Sequence, residues 1–450
     1  VINFFCIVIL ELKDLLITPL YIAIVYGLFG FFLKSFTKRK SLLKLKPKIF
    51  TIKVLSMIAF SLIHEFMYKG DTVNYTTRGS KIIYDTFMEN PSLGTALIFN
   101  YDKYNPEHVN KARQITFGLE SREKLVIKSC AFLSIFCLHT YTTMALIYAI
   151  FALSGLWALY VIFVEYYPHL DKKLAIAFFY LPSVLFWSSG ILKDSLCIGA
   201  MGWLFWSMHG IFFYAVRAPI YFIVFAFSFY IIQEVKIYIL LCFVPALIFW
   251  IFIQYTASVK NIVIKSIISP IFFSLGILGA FYGATEITKN DKQYSLEKIG
   301  ETTKSTAEWI HYISTKENGS TYSLGELDGT FGGMIKLAPQ AINVSLFRPY
   351  LWEAKNITML ISAFESTAML LFTLYILIKV GFLRTFTIIG STPIVLFCFI
   401  FALTFAFAVG ISSYNFGTLV RYKIPLMPFY VAGLYIMEGF IEKKVKRRKN

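Results

Sequence analysis

The stretch Met144–Tyr166, MALIYAIFALSGLWALYVIFVEY, decides the fold class. It carries one carboxylate, Glu165, and that lies at its end. A helix of this length rises about 34 Å, enough to cross a hydrocarbon core of about 30 Å. Such a helix closes all of its backbone hydrogen bonds internally, which lipid requires. Working outward from it, comparable runs recur along the 450 residues at Leu15–Leu33, Ile49–Met67, Leu174–Ser189, Leu196–Val216, Pro219–Ile232, Ile237–Ile253, Ile262–Ala284, Thr358–Ile378, Thr392–Gly410 and Ile424–Ile441. The expected fold is therefore all-α, a polytopic transmembrane helical bundle of about 11 spans forming one domain over residues 1–450. Composition agrees: 57% of the residues are hydrophobic and 15% charged, where soluble chains carry about a quarter charged residues.

Charge placement orients these spans. The formal net charge is +17, and thirteen of the 43 Lys and Arg fall in two stretches beside apolar runs, Lys34–Lys48 and Lys443–Lys449. Basic clusters in that setting set topology and meet anionic headgroups, so no nucleic acid is expected as a partner. With Lys34–Lys48 cytoplasmic, Lys172 and Lys173, Arg217, Lys260 and Lys265, Lys379 and Arg384, and the C-terminus all fall on the same side. The N-terminus is then outside and the C-terminus cytoplasmic. Two long outer loops remain, residues 68–143 and 285–357, which together hold 16 of the 26 acidic residues. Parity makes the apolar segment Val126–Leu138 interfacial or re-entrant, and Asn110–Lys128 reads as an amphipathic surface helix. In the second loop, Lys289–Asn318 is polar and helix-favouring, whereas Asn318–Gly333 is rich in Gly, Ser and Thr and is expected to be mobile.

Six cysteines without CxxC spacing indicate neither a disulfide framework nor a zinc site. The first apolar run lacks the basic start and small-residue cleavage site of a signal peptide. HExxH, GxGxxG, P-loop and GxSxG motifs are missing, and sequons begin at Asn74, Asn318, Asn343 and Asn356.

Four outer-side elements could carry chemistry. Asp71, in YKGDTVNY after the second span, could act as acid/base or hold a divalent cation such as Mg or Mn; alternatively it is a cap beside Gly70. Lys193, in SSGILKDS, could bind a phosphate, while Asp194 and Ser195 equally suit an N-cap. Arg348, in LFRPYLWE, presents a planar fork suited to phosphate, with Glu353 either its partner or a second acid. Arg421 and Lys423, in NFGTLVRYKIPLMPF, could complex a pyrophosphate or snorkel to ordinary lipid phosphate. His64 with Glu65, and Glu234 with Gln233 and Lys236, are further polar groups in or beside spans, and such groups suit either function or helix contacts.

An acid after an early span, a structured outer loop, a second outer loop and a late basic-aromatic motif together resemble the GT-C class of integral-membrane glycosyltransferases. The segments KDS, LFRPYLWE and NFGTLVRYKIPLMPF are also similar to those of O-antigen polymerase-like proteins of bacterial envelope-polysaccharide clusters. The resemblance implies glycosyl transfer or polymerisation from a polyprenyl-phosphate-linked saccharide at the outer face of the bacterial inner membrane. It assigns the acid/base or metal-associated role to Asp71 and phosphate binding, by position, to Lys193, Arg348, Arg421 and Lys423. Two features depart from the GT-C pattern: Asp71 lacks an adjacent Glu, and there is an extra N-terminal span. A lipid-linked oligosaccharide flippase and a non-catalytic scaffold of an envelope or secretion complex, with protein partners at its loops, are the competing readings.

Overall fold

The computed structural model describes residues 10–68, 70–214, 218–258, 298–316 and 319–449, with isolated positions between 271 and 288. These residues form helices, 3-10 and π turns and connecting loops; the only β pairing among them is an isolated bridge between Thr321 and Asn415. Seven helices among them are long and apolar enough to cross a membrane, and an eighth candidate is a pair bent by 65°. The chain is thus an all-helical membrane protein.

The chain divides into two compact units, Val1–Val161 with Leu185–Met208 and Arg217–Lys236, and Ile162–Val184 with His209–Val216 and Ile237–Asn450. The first contains α1 (Leu12–Phe36), α2 (Lys46–Phe66), α3 (Asp71–Tyr75), α4 (Lys81–Glu89), α5 (Pro91–Phe99), α6 (Pro106–Ala112), α7 (Lys124–Cys137) and most of α8 (Tyr141–Tyr166). The chain passes through α9 (Asp171–Phe179) of the second unit, crosses back after Val184 within α10 (Pro182–Trp187), and continues in the first unit for most of α11 (Lys193–Phe213). Helix α12 (Pro219–Ser258) is shared, the boundary following Lys236. The second unit continues with α13 (Ile299–Lys316), α14 (Phe331–Lys336), α15 (Ala338–Phe347), α16 (Ile357–Val380), α17 (Phe382–Ser391), α18 (Pro393–Ser413), α19 (Phe416–Tyr422) and α20 (Met427–Lys449).

Several of the eleven apolar runs emerge in different form. Leu174–Ser189 becomes the short helices α9 and α10, interrupted ahead of Pro182, whose ring cannot continue the preceding helix. Pro219–Ile232 and Ile237–Ile253 stay two helical segments within α12, meeting at a kink where Lys236 takes a non-helical conformation (φ −149°, ψ 75°). Ile424–Ile441 forms most of α20, and α19 meets α20 at the 65° bend where Pro425 and Pro428 fall. Ile262–Ala284 lies outside the described residues apart from isolated positions. The outer segment Asn110–Lys128 is a further correction: α6 ends at Ala112 and turns follow until α7 begins at Lys124. Gly118 adopts φ 66° there, a conformation that ends regular helix.

In the first unit, 83% of the most apolar window of α8 is buried against 17% of that of α1. A helix apolar all round can be buried all round, and α8 takes that place. Leu12, Leu16, Leu28 and Phe31 leave α1 facing lipid. The backbones of α8 and α11 touch: a methyl on Gly155 would meet the Gly199 carbonyl oxygen at 2.1 Å, and one on Gly202 the Gly155 oxygen at 1.9 Å. Small residues that permit such approach drive helix association in lipid. Asp14 of α1 caps α8, accepting from the Thr142 amide at 2.8 Å and its hydroxyl at 2.7 Å.

In the second unit, α12, α18 and α20 share an aromatic core in which the rings of Phe243, Phe397, Phe401 and Phe429 lie 4.9–6.4 Å apart in mainly edge-on pairs, and α15 packs on α18. The Ser345 hydroxyl donates to the Ala406 carbonyl at 2.6 Å, and Gly410 has no room for a side chain against Ala341.

Candidate functional site

Of the sequence-nominated residues, Asp71 and Lys193 belong to the first unit, and Arg348, Glu353, Arg421 and Lys423 to the second.

In the first unit, Asp71 is half-buried and opens α3, with Gly70 at the cap position. The next residue, Thr72, bonds the Tyr141 hydroxyl at 2.9 Å, so this corner is tied to the start of α8. His64 stacks on Phe60 at 3.9 Å with Nδ1 3.0 Å from the Phe60 carbonyl, and Glu65 accepts from the Leu10 amide at 3.1 Å. Lys193 pairs with Glu123 at 2.6 Å, Asp194 with Lys236 at 2.5 Å, and Lys124 with Glu234 at 2.7 Å. This ladder joins the start of α7, the start of α11 and the break in α12, segments that the charge map placed on one side. Its centre, Asp194 with Lys236, is buried; Lys193 is half-buried.

Lys53, within α2, is 1% exposed. Its ammonium donates to the Ser188 carbonyl at 2.8 Å, the Ser188 hydroxyl at 2.6 Å and the Leu185 carbonyl at 3.4 Å. These acceptors lie at and just beyond the C-terminal end of α10, where free carbonyls favour a cation. Next to them Gly190 lies so close to Phe60 that a Cβ would overlap the ring at 2.0 Å. The polar turn Ser188–Gly190 is therefore held from beneath by α2. The available signal was a lone lysine in the run IFTIKVLSMIAF.

In the second unit the two late motifs converge. Arg348 follows α15, and its Nε and Nη2 both donate to Glu353, whose Oε2 also accepts from the Tyr350 amide at 2.8 Å. Burial tends to raise the Glu353 carboxyl, but the guanidinium and the Tyr350 amide outweigh it and hold the group below its ordinary value. The guanidinium carbon lies 5.1 Å from the Phe416 ring centre, 5.8 Å from Tyr350 and 5.9 Å from Tyr322, so aromatic rings surround the cation. Lys423 is 1% exposed. Its ammonium donates to the Ser366 hydroxyl at 3.0 Å and the Arg348 carbonyl at 3.4 Å, and Ser366 donates to that carbonyl at 3.0 Å. Glu365, adjacent on α16, accepts from the amide and hydroxyl of Ser183 at 3.1 and 3.0 Å. Neither Glu365 nor Ser366 stood out in the sequence. Arg421 is half-buried on α19, whose first turn is capped by Asn415.

The second long loop closes around this arrangement. The Tyr322 amide donates to the Tyr414 carbonyl at 3.2 Å, the Phe416 amide to the Ser320 carbonyl at 2.9 Å, and the Tyr322 hydroxyl to the Gly410 carbonyl at 2.8 Å. The Gly-, Ser- and Thr-rich stretch is thus laid along the end of α18 and the start of α19. Chemically, Glu353 fixes one edge of the Arg348 fork, while Nη1 has no acceptor among the described residues. A phosphate oxygen is the natural partner for that edge. No group of three or more His, Cys, Asp or Glu placed to hold a metal ion occurs among the described residues.

Comparison with protein-family models yields no match to this chain, and comparisons with curated proteins and with solved structures yield none.

Proposed function

We propose that this chain is a membrane-embedded glycosyltransferase or polysaccharide polymerase that uses a polyprenyl-phosphate-linked sugar donor. It would work at the outer face of a bacterial inner membrane, the side that the positive-inside rule gives to the two long loops. The observation carrying this reading is the Arg348 fork, oriented by Glu353, walled by Tyr322, Tyr350 and Phe416, with its other edge lacking an acceptor among the described residues. A cation held in that way before substrate arrives stabilises charge developing on a leaving phosphate without reorganising at the moment of reaction.

In the proposed reaction an acceptor hydroxyl attacks the anomeric carbon, the glycosyl–phosphate bond breaks, and the lipid phosphate departs as an anion toward Arg348. Lys423, being buried, acts as a positioning residue by holding the Arg348 carbonyl with Ser366. Arg421 would supply further positive charge near the phosphate, while phosphate binding by Lys193 and uptake of the acceptor proton by Asp71 are the roles that the sequence resemblance implies. The test is turnover of a polyprenyl-diphosphate-linked oligosaccharide in proteoliposomes. Arg348→Ala is expected to lower turnover about 10²–10³-fold. Arg348→Lys should recover part of the loss, because an ammonium keeps the charge but not the fork. Folded, correctly inserted Arg348→Ala and Asp71→Asn proteins that elongate saccharide at the wild-type rate would remove the assignment. Movement of intact donor across the bilayer without glycosyl transfer would replace it with the flippase reading.

A further inference from the structure

The first two helices enclose a groove that the proposed reaction does not use. It is a cavity of about 270 Å³ lined by Gly27, Gly30, Phe31, Lys34, Leu43 and Lys46. One wall is the last turns of α1; the other is the basic segment leading into α2. Lys46 is fixed at its edge: the ammonium donates to the Tyr26 carbonyl at 3.2 Å and sits 3.4 Å from the centre of the Tyr26 ring. It rests directly on Gly30, where even a methyl would come within 2.5 Å of Nζ. Gly27, by contrast, opens onto space, with nothing within 4 Å of where its Cβ would be. Lys34 is exposed and has no carboxylate partner among the described residues. Below the two lysines Phe31 and Leu28 are 78% and 63% exposed, so the apolar surface continues down α1 into the lipid.

We infer that this groove holds one anionic phospholipid, its phosphate between Lys34 and Lys46 and an acyl chain along Leu28 and Phe31. A headgroup supplies two things the groove offers partners for: negative charge at the lysines and hydrocarbon directly beneath them. A soluble phosphate matches only the first. A zwitterionic lipid matches only the second in full, because its own cation opposes the lysines. Gly27 and Gly30 have separate parts, one leaving room for the headgroup and the other seating Lys46.

Native mass spectrometry of the full chain, delipidated in detergent and titrated with phosphatidylglycerol, phosphatidylcholine, inorganic phosphate or polyprenyl phosphate, tests this. The expected result is one retained phosphatidylglycerol per chain, at least tenfold preferred over phosphatidylcholine, with no retained inorganic phosphate. Gly27→Leu, whose Cβ has no protein atom within 4 Å, should abolish retention by filling the groove. Lys34→Gln should weaken it at least tenfold while leaving the thermal midpoint of the lipid-free protein unchanged. Equal retention of phosphatidylcholine, or wild-type retention by folded Gly27→Leu, would overturn the assignment. Preferred retention of polyprenyl phosphate would transfer the groove to the substrate.

Discussion

His139 shows how a single buried side chain sets a pH dependence. It lies between α7 and α8 with Nε2 3.3 Å from the Ser80 hydroxyl and its ring 5.6 Å from that of Tyr84. Burial, reinforced by Lys81 and Lys13 and opposed by Asp85 and Glu11, brings it from 6.5 down to about 4. The unfolded chain therefore binds this proton more readily than the folded one, and stability rises with pH across that interval. The contribution is complete above about 6.5, is lost as pH falls toward 4, and is on the order of 3 kcal/mol at most. The thermal midpoint in detergent should thus drop between pH 7 and 4.5, and His139→Gln should flatten that slope; an unchanged slope would exclude His139 as its source. At this scale the sequence was unevenly legible. Arg348 and Lys423 were legible because each sits in a short charged and aromatic motif bordering an apolar run. Lys53 did not, since a window average dilutes one lysine among apolar neighbours, and the carbonyls that satisfy it lie more than 130 residues away. Glu123 as the partner of Lys193 was equally hidden, because pairing depends on tertiary approach.

At the scale of elements, the apolar runs foretold helices but not their breaks. Hydropathy measures whether a segment tolerates lipid; it carries no record of where the helical hydrogen-bond ladder is interrupted. Lys236 is the exception, since the break expected between the two apolar runs is present as a kink in α12 at this one non-helical residue. The buried ion pair with Asp194 occurs at that break. Removing one member strands the other charge, which costs about 3–5 kcal/mol, whereas replacing both with apolar side chains is commonly near neutral. Lys236→Met should accordingly lower the thermal midpoint sharply, and Asp194→Leu combined with Lys236→Met should restore most of it. A double variant as unstable as the single one would show that α12 needs the charge itself to break there. The convergence of the two late motifs was also beyond the sequence, which placed Arg348 and Lys423 on one side of the membrane without showing that Ser366 links them.

For the whole molecule, membrane residence was legible in composition alone, and orientation rests on the distribution of lysine and arginine. That distribution makes a direct prediction. In a cysteine-free background, Tyr104→Cys and Trp352→Cys, both at highly exposed positions, should react with a membrane-impermeant maleimide in intact cells. Lys44→Cys should react only after permeabilisation. Labelling of positions 104 and 352 from opposite sides would break the parity on which the outer loops depend. The contact between α8 and α11 bears on how the first unit comes together. Each helix is apolar enough to enter the bilayer alone, and the slot formed by Gly155, Gly199 and Gly202 requires no side chain to choose a rotamer before it closes. Lateral association can then begin at this seam, while the ladder of ion pairs around Lys193 and Lys236 must wait for α7 and α12. A bulky residue at position 155 would act first on insertion yield and folding speed, as a defect of biogenesis, before it reached any step of chemistry.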